Sequence, residues 1–108
     1  MAGTFIRAFR PLGVNKTFSI AVTAASQTLV IPDTPFGTRA LRLVNSGSQL
    51  IFVDFLNSGQ AGVASVTTSM PLFPNTVEVF TIGNDIGSMV VIAGAVGSTL
   101  YATYGEGL

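Results

Sequence analysis

The sequence holds no cysteine, no histidine and no tryptophan in 108 residues. Without cysteine, disulfide staples and thiolate metal sites are excluded. Without histidine, the commonest general base, the commonest metal ligand and every Ser-His or Cys-His pairing are gone. Charge is scarce as well. Five basic and five acidic side chains give a net charge of zero and 9% charged residues, against roughly 25% in an average domain. Mean hydropathy is +0.61. Solubility normally rests on a charged surface, so this composition favours association; a neutral surface of Ser, Thr, Asn and Gly is the alternative. Long hydrophobic runs are missing too. The longest strongly apolar, uncharged run, MVVIAGAV at 89–96, is short of the ~20 residues a membrane-spanning helix needs. The opening MAGTFIRAFRPLG is broken by Arg7, Arg10 and Pro11, which leaves no apolar signal-peptide core. The expectation is a chain made in the cytoplasm, without a membrane partner.

What is present is strand chemistry. No window sustains a 3.6-residue period. Gly, Pro, Asn and Ser clusters recur at 11–13, 24–27, 32–35, 45–48, 57–59, 71–75, 83–87, 94–97 and 105–107, and each marks a chain reversal. Between them lie short segments rich in Val, Ile, Thr, Phe and Tyr, predicting strands at 4–9, 17–23, 28–31, 39–45, 50–55, 62–68, 76–82, 88–93 and 98–104. One all-β domain follows: a two-sheet antiparallel sandwich of eight or nine short strands, jelly-roll-like, with an immunoglobulin-like sandwich as runner-up. The 45–48 turn is expected to close a hairpin, and the last three strands to form a meander. Expected core members are Ile20, Val22, Leu29, Ile31, Leu41, Leu43, Val53, Phe55, Val77, Val79, Val91 and Leu100.

Several strands carry apolar groups on both faces. In LIFVDF, 50–55, Ile51, Val53 and Phe55 share one face, and Leu50 and Phe52 share the other with Asp54. In 76–82, Val77 and Val79 oppose Glu78, Phe80 and Ile82. A one-sided antiparallel sheet alternates more cleanly. The pattern implies a second covering layer, from the same chain or from a partner.

Chemistry is nearly silent. The acids are Asp33, Asp54, Glu78, Asp85 and Glu106. Asp54 and Glu78 could meet across a sheet as a carboxylate pair, but two separate strand residues explain them as well. Asp85 in GNDIG supplies one carboxylate where Ca²⁺ wants six to eight oxygens. The glycine loops lack the Lys and the following helix of a phosphate loop. No catalytic, cofactor or metal site is expected, and the chain is not read as an enzyme.

The basic residues Arg7, Arg10 and Lys16 fall in the first 32 positions, which hold no acid. With Phe5, Ile6 and Phe9 between them, they compose apolar anchors beside positive charge, as in interface hot spots. Three charges give only weak phosphate binding, so a protein partner is favoured over nucleic acid. Residues 1–16 read as a contact arm and 17–108 as the sandwich. Leu50, Phe52 and Phe80, assigned to faces away from the core, complete the expected contact set of Phe5, Ile6, Arg7, Phe9, Arg10, Lys16, Leu50, Phe52 and Phe80.

From residue 39 onward the order of segments is specific: a basic strand into VNSG, then LIFVDF, a Ser/Thr-rich stretch, MPLFP, VEVFTI and the closing LYATYGEGL. This resembles the small head decoration, or cement, proteins of tailed bacteriophages, over about two thirds of the chain. The resemblance implies a jelly-roll or β-sandwich protein on the outer capsid surface, binding the major capsid protein and bracing the shell by bridging its subunits. The low charge, with Leu50, Phe52 and Phe80 on faces away from the core, predicts a homo-oligomer, a trimer or else a dimer. A carbohydrate- or receptor-binding or tail-associated module is the alternative.

Overall fold

The computed structural model describes residues 9–11, 16–31, 39–83 and 85–106, and all regular structure among them is β. The strands are β1 (Arg10–Pro11), β2 (Thr17–Val22), β3 (Gln27–Val30), β4 (Arg39–Gly47), β5 (Ile51–Asn57), β6 (Met70–Leu72), β7 (Thr76–Ile82), β8 (Ile86–Ala93) and β9 (Ser98–Glu106). They form two antiparallel sheets. The first runs β2-β9-β4-β7, with the two-residue β1 beside β9 on the same edge as β2; the second runs β3-β8-β5-β6. The short β1 aside, four strands in each sheet, with the chain crossing between sheets at most connections, is the jelly-roll arrangement.

Two expected connections therefore differ. The 45–48 turn does not close a hairpin, because β4 lies in the first sheet and β5 in the second. The last three strands are no meander either: β7 and β9 both pair with β4, while β8 pairs with β3 and β5. Short Gly- and Asn-containing turns allow a crossover as readily as a hairpin. The choice is made by which faces bury together. The segment expected as a strand at 62–68 is irregular, and a three-residue β6 follows it. The expected strand at 4–9 falls mostly outside the described residues.

The core is the layer between the sheets. Leu41, Leu43, Leu100 and Ala102 from the first sheet meet Ile51, Val53, Met89, Val91 and Ala93 from the second, all essentially sealed from solvent. Phe18, Ile20, Leu29, Phe55 and Phe80 pack around this cluster at its margins. In β7 the inward face is the one not expected. Leu41 stands opposite Phe80 and Leu43 opposite Glu78, and residues directly opposite share a face. Phe80 and Ile82 thus point to the core, while Val77 is 47% exposed on the outer side and Val79 lies outside the core cluster. Both faces of this strand are apolar, so the larger side chains prevail. Phe80 meets Phe55 edge-on across the two layers at 5.7 Å, a favourable aromatic geometry.

The second sheet has a second apolar cluster, on its outer face. Leu56, Val90 and Ala64 are buried there and Ile92 packs against them. Ala64 comes from residues 58–69, which fold back over that face. The cover is fastened at its middle and at its carboxyl end. The Ala64 amide donates to Ser26 Oγ at 2.8 Å, and Ser69 Oγ donates to Asp54 Oδ2 at 2.6 Å. Within it, the Ser65 amide donates to Ser69 Oγ and the Ser69 amide to the Ser65 carbonyl. The chain thus supplies the covering layer that the two-faced pattern of LIFVDF requires.

Neutral groups wire the loops at one end of the sandwich. Asn45 is fully buried. Its Nδ2 donates to the carbonyls of Gln49 and Leu72, each at 2.8 Å, and its backbone carbonyl accepts from the Asn75 amide. Ser98 Oγ donates to the Gln49 carbonyl and accepts from the Gln49 amide. A Cβ on Gly47, whose φ is +143°, would strike the Gly97 carbonyl and Ser98, so the two loops approach this closely only with glycine there.

Two outcomes follow. Leu43→Ala should cost roughly 2–5 kcal/mol in chemical denaturation, from lost burial and a cavity. Asn45→Ala should cost roughly 1–3 kcal/mol, because it strands the Leu72 carbonyl while Gln49 keeps its bond from Ser98, whereas Ser46→Ala, one residue along on the exposed face, should be close to neutral in the same assay.

Candidate interaction surfaces

Among the described residues no three acids stand close enough to hold a metal ion. Asp54 and Glu78 do not form a pair. Asp54 sits on the outer face of the second sheet, opposite Val90 and bonded to Ser69, while Glu78 is exposed on an edge strand of the first. What remains to characterise is surface.

The expected contact residues are scattered. Phe5, Ile6 and Arg7 lie outside the described residues. Phe9 is half-buried just before β1, and Arg10 enters the first sheet opposite Glu106. Lys16 is half-buried, and its carbonyl accepts from the Tyr104 amide at 3.2 Å. Leu50 is half-buried in the β4–β5 connection. Phe52 is half-buried on the outer face of the second sheet, opposite Ile92 and Pro71. Phe80, expected to face outward, faces the core instead.

Three surfaces emerge that the sequence did not single out. One is a loop end. Residues 23–26, 48–50, 73–75 and 94–97 come together there, as the register Val22–Ser98–Gly47, the bond from the Ala93 amide to the Thr23 carbonyl and the contacts of Asn45 require. None of these residues is charged, and Phe73 and Val96 are 60% and 71% exposed. Another is the outer face of the first sheet. Val44 stands there opposite Val77 and Tyr101, with Thr17 and Thr103 joined through their hydroxyls at 2.6 Å beside it. Arg42 is the charged residue on this part of β4, and it is exposed. The third is the pair of edge strands of that same sheet, β2 and β7. The loop end had a readable signal in the lack of charge in all four turns. Their convergence could not be read, because it depends on the crossovers.

No protein-family model matches the sequence, and no curated protein matches it. Among solved structures, the chain is similar to one described as PirA, with a TM-score of 0.54 at 14% identity over 85% of this chain and 95% of that one. It is also similar to a protein of Bacillus endospore appendages, described as a novel family of disulfide-linked pili, with a TM-score of 0.51 at 14% identity over 100% of this chain and 97% of that one. The coat protein of Tobacco streak virus is more distant, at a TM-score of 0.40 and 10% identity. With no cysteine, this chain has no means of making the disulfide links of the appendage protein. At these identities the likeness is one of fold: the chain is an all-β sandwich of jelly-roll topology.

Proposed function

We propose that the protein is a structural subunit that works by covering and joining other protein surfaces, and that its place is the outer surface of a tailed-phage capsid, where it bridges major capsid protein subunits. The observation that carries this reading is the uncharged loop end with Phe73 and Val96 exposed. A loop cluster free of charge suits dry contact with protein better than it suits a polar ligand. Interface centres are likewise depleted in charge and enriched in aromatic side chains. The resemblance of residues 39–108 to capsid decoration proteins points the same way. So does the endospore appendage protein among its structural likenesses, a pilus protein by description.

In this reading the loop end supplies the apolar contact, and the amino-terminal segment with Arg7, Arg10 and Lys16 supplies a separate charged one, since Arg10 and Lys16 join the sheet at the other end of β9. Copies associate with one another on the particle, as trimers or dimers. Nucleic acid is not a partner. The carbohydrate-binding alternative has one observation in its favour, the 42% exposed ring of Tyr101 among the hydroxyls of the first sheet's outer face, since exposed aromatic rings are the usual sugar platform. A glycan array gives no bound sugar if the structural reading holds.

The test is binding to purified, undecorated capsids, read by co-sedimentation. The unaltered protein should bind to saturation. Phe73→Asp, which leaves the core untouched, should weaken binding by about tenfold or more, the effect of losing a central aromatic anchor. If Phe73→Asp and a variant lacking residues 1–9 both bind like the unaltered chain, the proposed contact surface is wrong.

A further inference from the structure

The two sheets treat their edges differently. An edge strand presents unpaired N–H and C=O groups and invites another chain, and proteins blunt it with short strands, proline, charge or a cover. The second sheet uses these devices. Its edges are the four-residue β3 and the three-residue β6, which contains Pro71, and residues 58–69 cover its outer face. The first sheet does not. Among the described residues its edges are the six-residue TFSIAV of β2, with the two-residue β1 and its Pro11 further along the same side, and the seven-residue TVEVFTI of β7. Neither β2 nor β7 contains proline, and Glu78 is the single charge in these two strands.

The register gives the outward groups. The bond from the Tyr104 amide to the Lys16 carbonyl fixes the phase of the β2–β9 ladder, because bonded pairs alternate with unbonded ones along antiparallel strands. Phe18 and Ile20 therefore bond to β9, and the N–H and C=O of Thr17, Ser19 and Ala21 point to the open edge. Carrying the alternation through β9 and β4, Leu41 and Leu43 bond towards β7, to Phe80 and Glu78. The N–H and C=O of Val77, Val79 and Thr81 then point away from the sheet. Each edge displays three residues at the same two-residue spacing.

We propose that β2 of one copy pairs with β7 of the next, so that the first sheet continues from subunit to subunit. Strand direction permits it: β2 and β7 run oppositely within the sheet, so head-to-tail addition preserves its antiparallel order. Full overlap sets Thr17, Ser19 and Ala21 against Thr81, Val79 and Val77, for about six backbone hydrogen bonds. Charge favours this pairing over β7 on β7, which would bring two Glu78 side chains to neighbouring positions of one face, whereas β2 has no charge to oppose Glu78. A pairing of unlike edges is heterologous and gives a ring or an open chain. The inference rests on the assembly reading above and adds the partner and the means of contact.

Proline at an outward-pointing position blocks the edge without removing a bond inside the sheet. Ser19→Pro should disable β2, and Val79→Pro should disable β7, with circular dichroism and melting curves close to those of the unaltered protein. In sedimentation velocity at rising concentration, the unaltered chain should form species beyond the dimer. Each variant alone should remain a monomer. A mixture of the two should give a one-to-one heterodimer, because each retains one working edge. If a variant melts early, Thr17→Pro or Thr81→Pro replaces it on the same edge. The inference is overturned if the unaltered chain stays monomeric, if Val79→Pro still dimerises with itself, or if the mixture yields no heterodimer. Capsid binding by the monomeric variants is read separately: binding that survives in a monomer leaves the capsid reading standing whatever becomes of the edge.

Discussion

Every backbone donor and acceptor at the rim of a sheet needs a partner, and this constraint shapes the molecule more than any side-chain chemistry. A sandwich of two open sheets has four rims. On the second sheet they are short, and Pro71 stands in one of them. On the first sheet β2 and β7 are long and nearly uncharged. The same asymmetry holds for the faces. Residues 58–69 lie over Leu56 and Val90 of the second sheet, while Val77 and Tyr101 of the first stay open to solvent. Among the described residues, one half of the surface is finished and the other half is left available.

Scarcity of charge then determines how the remaining polar groups are satisfied. Serine, asparagine and glutamine do the work that ion pairs do elsewhere. Ser69 on Asp54 and Ser26 on Ala64 fasten the cover. Asn45 and Ser98 hold three loops together through the Gln49 and Leu72 backbone. The bonds of Asn45 and Ser98 join neutral groups, so they are insensitive to salt and carry no long-range field, and the loop end they organise is both well formed and electrically quiet. A surface of that character favours contact with protein over recognition of phosphate or metal.

The strand segments were legible because Gly, Pro and Asn clusters delimit them and β-branched residues fill them. Leu41, Leu43, Val53, Val91 and Leu100 were legible as core for the same reason. Partnership between strands was not. A turn such as Asn45–Ser48 has the residues of a hairpin, yet β4 and β5 lie in different sheets. The inward face of β7 was misjudged because Val77 and Val79 look as apolar as Phe80 and Ile82; only the register against Leu41 and Leu43 separates them. The segment 62–68 reads as a strand from its Val and Thr, but Gly59, Gly62 and its serines suit the irregular cover it forms. The open edges of β2 and β7 could not be read at all, since which strands are outermost follows from the completed topology.

Amide hydrogen exchange, resolved by residue and followed from dilute to concentrated solution, tests most directly whether the first sheet is left open for a second copy. In dilute protein the amides of Thr17, Ser19, Ala21, Val77, Val79 and Thr81 should exchange fast, while those of Phe18, Ile20, Glu78 and Phe80 in the same strands are protected. As concentration rises, the six fast amides should slow together and the others should not change. Protection of the six in dilute monomer, or fast exchange that persists at every concentration, would contradict the account.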